Sequence, residues 1–330
     1  MEFSCLFFIF AQSIEQKYLT ICTMIMNEKN KILVIGSANT DMVISAGHFP
    51  KPGETLIGYD FMTNHGGKGA NQAVAAARLG GDTAFICKLG DDSFGHSIME
   101  MLRKEGIDVS YSSVSDQASS GVALICTIPS GENSIIIDSG TNGLLSPDDV
   151  MAAEPLFAEA AVMLMQLETP IDTVIKAAEL GKKHGACVIL NPAPAPTGPL
   201  PEALLRNVDL LIPNETEAES ISGVNIQTDE DVAKAMDEIQ KLGVKNVIIT
   251  VGCKGVYARI NGKLVKVPAF KVKAVDTTAA GDTFCGALCV SLCKGNNLEE
   301  AILFANKASS ISVTRRGAQM SMPYLNEVNV

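Results

Sequence analysis

The sequence of 330 residues predicts an α/β fold in which a central, mostly parallel sheet is covered by helices on both faces. Short apolar runs of strand length alternate with amphipathic helical patterns along most of the chain. The composition agrees, because 47% hydrophobic and 19% charged residues suit strands that are buried on both sides. Strand–helix–strand units of this kind build parallel sheets with right-handed crossovers.

The predicted elements follow each other in a regular order. The predicted strands are short and apolar: 31–36, 84–88, 162–166, 187–191, 210–213 and 246–251. The predicted helices lie between or after them: 71–79, 93–105, 171–184, 229–242, 281–293 and 298–313. Two segments, about 42–64 and 121–138, interrupt this order with short strands and turns. We expect these two segments to pair as a small separate sheet.

Charge and cysteine content exclude several classes of function. The net charge of −11 argues against a nucleic-acid partner, which would require a basic face. The apolar run 6–11 is too short to span a bilayer, so no membrane partner is expected. The nine cysteines show no metal-like pairing, although Cys285, Cys289 and Cys293 recur along one helix face. We interpret these three as buried small hydrophobic residues, and we expect a reducing, cytoplasmic location.

The first 30 residues precede the predicted fold. We expect residues 1–30 to be an N-terminal extension outside a single domain that covers 31–330. A targeting segment is the alternative, but only Glu2 is charged before the apolar run, and a signal peptide needs a basic start. Another alternative is that Met24 or Met26 is the working initiator.

The most informative motif is the stretch 275–284, where small residues lead into Gly281 and Asp282 before a helical pattern. This arrangement predicts a helix N-terminus whose free N–H groups bind an anion, phosphate above all. A carboxylate repels phosphate, so Asp282 makes sense there if it takes a proton from an attacking hydroxyl. The alternative is that Asp282 is only a favourable residue of a first helical turn.

A second glycine-rich segment, 66–72, precedes a small-residue helix that ends at Gly80. It offers backbone donors, the Lys68 cation and the Asn71 amide within a few positions. It is not a Walker A loop, because the Gly-Lys-Ser/Thr spacing is missing. The segment around Gly36 is not a convincing dinucleotide fingerprint either, because it lacks the two further glycines.

Both glycine-rich segments resemble the two signatures of the ribokinase-like carbohydrate kinase family. Further matching motifs occur in the family's order over roughly residues 31–323: Asn39-Thr40-Asp41, Gln166-Leu167-Glu168, Asn191-Pro192-Ala193-Pro194-Ala195, Asn214-Glu215-Thr216-Glu217-Ala218-Glu219, Thr250-Val251-Gly252-Cys253-Lys254-Gly255 and Thr314-Arg315-Arg316-Gly317-Ala318-Gln319. Within the family, the 66–80 block and the 317–319 ending resemble the members that phosphorylate ribose.

The resemblance implies a three-layer fold with a small β-sheet lid built from about 42–64 and 121–138. The lid would cover the sugar and form a homodimer interface. The implied reaction is ATP-dependent phosphorylation of D-ribose at O5, which gives D-ribose 5-phosphate and ADP. In that reaction Asp282 would be the general base, and an anion hole would be formed by Ala279, Ala280, Gly281 and Asp282.

The binding residues follow partly from the pattern and partly from the resemblance. Ligands of α/β sheets lie beyond the carboxyl ends of the strands, so residues that follow strands should gather at one edge: Asp41, Glu168, Asn191, Asn214 and Thr250. The residues that the resemblance implies for ribose are Asn39, Asp41, Gly67, Lys68, Gly69, Asn71, Glu168 and Asp282. Those that it implies for the nucleotide are Asn214, Thr250, Val251, Gly252, Cys253, Lys254, Gly255, Gly281, Asp282 and Asn306. For Asp41 an Asx turn after the strand is the alternative.

Two cations are implied by the resemblance. Asn214 and Glu217 match an Asn-x-x-Glu motif that organises Mg²⁺ through water, although Glu217 can also be read as part of a solvated acidic helix start. The implied K⁺ ligands are mostly backbone carbonyls, with a side-chain oxygen at the last position: Asp276, Thr278, Ser312, Arg315, Gly317 and Ser321.

Two rival functions stay open at this point. The first is a kinase of the same fold that acts on deoxyribose, another sugar or a nucleoside, for which Phe49, Tyr59 and Phe61 offer an aromatic clamp. The second is a catalytically inactive sugar-binding regulatory protein. The joint presence of Asp282, Gly281 and Asn214 argues against the second, since an inactive relative has no chemical need for a base.

Overall fold

The structure is a computed structural model that describes residues 29–260 and 263–329. Its strands, in chain order, are β1 (Lys31–Ile35), β2 (Asn39–Ser45), β3 (Tyr59–Gly66), β4 (Asp82–Ile86), β5 (Lys88–Gly90), β6 (Ser113–Ser115), β7 (Gly121–Thr127), β8 (Asn133–Asp138), β9 (Ala160–Met165), β10 (Cys187–Leu190), β11 (Leu210–Leu211), β12 (Asn246–Thr250), β13 (Val256–Ile260) and β14 (Lys263–Val267). Its α-helices are α1 (Lys68–Arg78), α2 (Ser93–Lys104), α3 (Pro147–Ala152), α4 (Glu154–Glu159), α5 (Ile171–Lys183), α6 (Glu202–Leu205), α7 (Glu215–Ser222), α8 (Asp229–Lys241), α9 (Ala280–Cys293), α10 (Leu298–Ser312) and α11 (Leu325–Val328).

The large sheet of the described residues has eight strands in the order β14-β13-β12-β11-β10-β9-β1-β4. All neighbours from β4 to β12 pair in parallel, whereas β12, β13 and β14 pair antiparallel. The predicted, mostly parallel sheet is therefore confirmed, and each predicted strand corresponds to one of its members. The β13–β14 hairpin was not predicted, because the exposed Lys263 and Lys266 interrupt the apolar residues of β14 and leave no apolar run of strand length.

The core is split between the two faces of this sheet, which gives three layers. Ile32 and Val34 of β1 pack in a cluster with apolar residues of α1, α9 and α10. Leu33 and Ile35 of the same strand pack in a second cluster with residues of α3, α4, α5 and α8. Alternate side chains of a strand point to opposite faces, so a continuous apolar run such as β1 requires cover on both sides.

A separate four-stranded sheet has the order β3-β2-β7-β8. It is formed by the two segments that were predicted to pair, and β2 lies parallel to β7. Asn39 of β2 pairs with Gly66 of β3 on one side and with Gly121 of β7 on the other, so this end of the sheet adjoins the carboxyl end of β1. At the other side, β8 is exposed along its whole length.

Some predictions concern the termini and the cysteines. The predicted N-terminal extension lies outside the described residues, except for Lys29 and Asn30. Cys285 and Cys289 are buried in the core, which confirms the interpretation of these two as small hydrophobic residues, whereas Cys293 is only partly buried. Within residues 29–260 and 263–329, no helix is both long enough and apolar enough to cross a membrane.

Candidate active site

The N-terminus of α9 is open toward a cavity of about 180 Å³. Ala279 caps the helix with left-handed backbone angles, φ 57° and ψ 17°. The first i→i−4 bond runs from Thr283 N to Ala279 O at 2.9 Å, and Ala280 N donates to Thr277 O at 3.2 Å. The amides of Gly281 and Asp282 therefore precede the intrahelical bonds, where N–H groups are available to an anion.

Asp282 lies in the first turn of α9 and is only 8% exposed. Its Oδ2 accepts a hydrogen bond from Asn71 Nδ2 at 3.0 Å, and its Oδ1 accepts one from Gln72 Nε2 at 3.0 Å. Burial raises the pKa of Asp282, while the Lys68 charge and the two amide donors oppose that rise. The arrangement holds a carboxylate in a fixed orientation with a strengthened tendency to take up a proton.

Further polar groups surround Asp282 on what we call the α1 side of the site, residues 37–41, 66–72 and 168. Glu168 accepts from Ser37 Oγ at 2.5 Å and from the Lys68 backbone amide at 3.0 Å. Burial, Glu168 and Asp282 together raise the pKa of Asp41 to about 7, and Lys68 opposes them. Predicted residues from distant parts of the sequence are thus neighbours in the structure.

Glycines on the α1 side allow close packing of the backbone. At Gly67, φ is +85°, and an added Cβ would lie 2.8 Å from Ala38 Cα. At Gly69, an added Cβ would lie 2.6 Å from Ser37 N. These glycines therefore let the start of α1 approach the chain that leaves β1.

The opposite half, which we call the α9 side, consists of residues 214–217, 250–255 and 279–282. The cavity there is lined by predicted nucleotide, magnesium and anion-hole residues: Asn214, Glu217, Thr250, Ala279, Ala280, Gly281 and Asp282, with Lys68. Residues 252–254 form an exposed 3₁₀ turn after β12, and Asn306 lies on α10, where its Nδ2 donates to Pro268 O at 3.5 Å. The structure thus brings the phosphate-facing residues together, while the 251–255 turn and Asn306 lie outside the cavity lining.

Asn214 and Glu217 form a capping box at the start of α7. Glu217 Oε2 accepts from Asn214 N and its Oε1 accepts from Asn214 Nδ2, both at 2.9 Å. Glu217 is 5% exposed, so the interpretation of this residue as part of a solvated helix start is wrong. Burial raises the pKa of its carboxyl group. An oxygen-rich pair facing a phosphate-sized cavity suits a hydrated Mg²⁺, which keeps most of its waters.

The predicted potassium segments, 276–278 and 312–321, are joined through Asp276. Asp276 Oδ2 accepts from Gly317 N at 2.9 Å, and its Oδ1 accepts from the Thr278 hydroxyl and amide at 2.7 and 2.9 Å. The Ser312 carbonyl accepts from Arg315 N, and the Ser321 hydroxyl donates to a carbonyl at 2.8 Å. Across 29–260 and 263–329, no group of three His, Cys, Asp or Glu side chains converges as a metal site.

The model of the pfkB family of carbohydrate kinases matches residues 29–325. The chain belongs to the pfkB carbohydrate kinase family. The chain is 44% identical to a ribokinase of Haemophilus influenzae over 299 residues, which cover 91% of this chain and 97% of that protein. It is 39% identical to a deoxyribokinase of Salmonella typhi, with 90% and 97% covered.

A solved structure gives the same result for the fold. The ribokinase of Arabidopsis thaliana, complexed with ribose and ATP, superposes with a TM-score of 0.84 at 36% identity. The superposition covers 91% of this pfkB-family chain and 98% of the plant protein. The predicted family and the ribokinase-like α/β fold are confirmed.

Sequence reasoning missed the residues that hold the predicted ones. Asn142 Nδ2 donates to Asn39 Oδ1 at 2.7 Å, and both side chains are buried. Gln72 contacts Asp282. It lies within the glycine-rich segment 66–72, but nothing in that segment predicted the contact. Asn142 lies in none of the matching motifs, so no local signal marked it. Its partner is 103 positions away, and only the fold brings the two together.

Proposed function

We propose that this chain is an ATP-dependent ribokinase, which transfers the γ-phosphoryl group of ATP to O5 of D-ribose and releases D-ribose 5-phosphate and ADP. One observation carries the proposal: the buried carboxylate of Asp282 lies at an open helix N-terminus, between the polar side chains of the α1 side and a cavity of about 180 Å³. A base at that place can activate a hydroxyl on one side toward a phosphoryl group on the other. The ribokinase relatives support this choice of sugar.

Asp282 accepts the proton of the attacking hydroxyl as the O–P bond forms. Its raised pKa assists this step, because a stronger base takes the proton more readily once the group is ionised. The amides of Gly281 and Asp282 receive the negative charge on the transferring phosphoryl group. The Lys68 ammonium group lies near Asp282, Glu168 and Glu217 and offsets part of their charge.

The α1 side would bind the sugar. Asp41 and Glu168 accept hydrogen bonds from ribose hydroxyls, and Asn39 and Asn71 offer amide groups. The remaining proposed sugar contacts are the Gly67 and Gly69 backbone and the Lys68 side chain. The support is their position around Asp282 and the burial of Asn39 and Asn71, which makes hydrogen bonds to a ligand selective.

The α9 side would bind ATP with its cations. Asn214 and Glu217 would hold Mg²⁺ through water, and the metal would neutralise phosphate charge. The 250–255 turn and Asn306 would contact the nucleotide further out. The segments joined by Asp276 would hold K⁺ with carbonyl oxygens.

We also propose that residues 31–330 act as one kinase domain and that the enzyme is a cytoplasmic homodimer. The dimer contact would use the four-stranded lid sheet. Its outer strand β8 exposes Ile135, Ile136 and Ile137, which is an unusual apolar patch for a solvated surface.

A sugar panel with coupled detection of ADP tests the proposed reaction. Each sugar is supplied with ATP and Mg²⁺, and the phosphorylated position is assigned by NMR. We expect the highest kcat/KM with D-ribose. A higher kcat/KM with 2-deoxyribose would favour the deoxyribokinase reading that the Salmonella relative suggests. Absence of ADP formation with every sugar and nucleoside would favour the inactive binding protein.

A further inference from the structure

The two amides that face Asp282 are themselves held by other buried amides. Gln72 is fully buried, and its Nε2 donates to Asp282 Oδ1 and to Asn191 Oδ1, both at 3.0 Å. Its Oε1 accepts from Gln166 Nε2 at 2.5 Å. Both ends of the Gln72 amide are therefore committed. A reversed amide would set its carbonyl oxygen against the carboxylate.

Asn71 is oriented in the same way from the other side. Its Oδ1 accepts from Gln319 Nε2 at 3.2 Å, which leaves Nδ2 to donate to Asp282 Oδ2 at 3.0 Å. The backbone carbonyl of Gln319 in turn accepts a hydrogen bond from the guanidinium group of Arg78, which lies at the far end of α1. Glu105 fixes Arg78 through two hydrogen bonds of 3.0 and 2.6 Å. The loop that carries Gln319 is thus tied to the helix that carries Asn71.

We propose that Gln72 and Gln319 are positioning residues for the phosphoryl transfer, because they fix the amide groups around Asp282 so that only N–H donors face the carboxylate. This inference rests on the proposed function, in which Asp282 is the base. Gln72 acts on Asp282 directly and Gln319 acts through Asn71. Neither needs to touch the sugar or the nucleotide to have this effect.

The charged surroundings make the donors important. Burial disfavours the ionised form of Asp282, and hydrogen bonds donated to that form stabilise it. The titratable groups that act on Asp282 from the surrounding elements are Lys68 of α1, Asp41 of β2, Glu168 after β9, Glu217 of α7 and Cys285 of α9. Lys68 is the one cation in that set, so the amides supply much of the remaining stabilisation. Loss of a donor should raise the pKa of Asp282.

The direction of the effect on the reaction follows from the role of the base. Asp282 must be unprotonated to accept the hydroxyl proton. A higher pKa therefore moves the acidic limb of the kcat–pH profile to higher pH. A packing defect with no effect on the donors would lower kcat by the same factor at every pH.

Gln72→Glu is the main variant, because the carboxylate keeps an acceptor for Gln166 and replaces the donor that faces Asp282. Its negative charge adds to the rise in the pKa of Asp282, whereas the second variant below is neutral and removes a donor alone. We expect the acidic limb to move up by about one pH unit or more, so that kcat on the acidic side of the limb falls about tenfold or more, since one pKa unit is a tenfold change in the protonation equilibrium. Much of the loss should be recovered at pH 9. Binding of ribose and of ATP, measured by calorimetry, should change far less than kcat.

Gln319→Met is the second variant, and it removes the donor that orients Asn71. We expect a shift of the limb in the same direction and a smaller loss, about threefold, because Asn71 can still donate part of the time. Gln240→Met is the matched control: Gln240 donates to Lys245 O at the surface of α8, and its replacement should leave the profile unchanged.

A uniform loss of kcat at every pH, or a wild-type profile, would overturn the proposal. Circular dichroism and thermal melting establish that each variant is folded. If Gln72→Glu does not fold, the Gln319→Met profile decides the matter alone. The sugar panel on the wild-type enzyme tests the proposed ribokinase function separately from the positioning role of Gln72 and Gln319. If the wild type rejects ribose, the kcat–pH profiles of the variants are compared on the substrate that it does phosphorylate.

Discussion

On the α1 side of Asp282, Gly67 and Gly69 are packed against neighbouring backbone, whereas Gly252 and Gly281 on the α9 side face open space. Gly255 is the exception on the α9 side, because an added Cβ there would lie 2.2 Å from Val267 O. An added Cβ at Gly67 would lie 2.8 Å from Ala38 Cα, but at Gly252 or Gly281 it would meet nothing within 4 Å. The polar side chains differ in the same way. On the α1 side, other buried amides hold Asn39 and Asn71. On the α9 side, the start of α9 presents free backbone N–H groups beside the Asn214–Glu217 pair. A small, rigid sugar suits the first construction, and a phosphate chain with its cations suits the second.

Replacement of Asp282, the carboxylate between the two sides, should have the largest effect on kcat. We expect Asp282→Asn to lower kcat by about two to four orders of magnitude, because the general base is lost. Binding of ribose and ATP should stay close to the wild-type values, since an amide fills the same space. Single-turnover kinetics measures the transfer step, and a near-normal rate there would remove Asp282 from this role.

A pair of glycine variants tests the contrast between the two sides. Gly281→Ala directs a methyl group into the cavity, so kcat should fall about a hundredfold through displaced phosphate, with stability nearly unchanged. Gly67→Ala forces a side chain into left-handed backbone and should lower the free energy of unfolding by about 1–3 kcal/mol. Urea unfolding and steady-state kinetics, performed on both, check the two expectations. Equal losses of stability would contradict the proposed difference between the sides.

Asp41 probes the α1 side alone. Asp41→Ala should weaken ribose binding by about 1.5–3 kcal/mol, since a charged acceptor is removed from a buried site. The Michaelis constant for ATP should change much less. The measurement is the pair of Michaelis constants, and a comparable rise in both would mean that Asp41 is not a sugar ligand.

The pH dependence of Asp41 gives a second, smaller effect. Its pKa of about 7 in the folded protein exceeds the ordinary value of 3.8, so its charge becomes more costly to the fold as pH rises through 4 to 7. The sugar-free Asp41→Asn variant should therefore be more stable than the wild type at pH 8, with a difference that shrinks toward pH 4. Wild-type ribose affinity should instead fall from pH 8 to pH 6, as the carboxylate is protonated. Thermal melting measures the stability trend and calorimetry measures the affinity trend over this range. A difference in melting temperature between the two proteins that does not change with pH would contradict the expected stability trend.

Cations on the α9 side should have the mildest effect. At fixed Mg²⁺ and equal ionic strength, K⁺ should raise kcat relative to tetramethylammonium, with a smaller change in ribose affinity. The reason is that carbonyl ligands at 276–278 and 312–317 would hold both sides of the anion hole in place. Na⁺ should substitute poorly, because it is too small for such a cage. Equal rates in K⁺, Na⁺, Cs⁺ and tetramethylammonium would remove the cation site.

The sequence by itself determined the fold class and the family, and it singled out the residue proposed as the base. The strand runs of the large sheet and the 281–293 helix are local patterns, and they were found within a few residues of their observed ends. Gly281 and Asp282 could be assigned because four consecutive small residues before a helix already describe an anion site. The short helices α3, α4 and α6 and the β13–β14 hairpin were missed, since their patterns are brief and partly exposed.

Only the tertiary structure decided how Asp282 is held and how its neighbours ionise. Asn71 and Asp282 are 211 positions apart, and Gln319 and Asn71 are 248 apart. Neither pair has a local signal. The left-handed Ala279, the buried Glu217 and the raised pKa of Asp41 likewise depend on what packs against them. Hydrogen-bond direction and desolvation are properties of the assembled site, because they are set by distances that the order of residues does not contain.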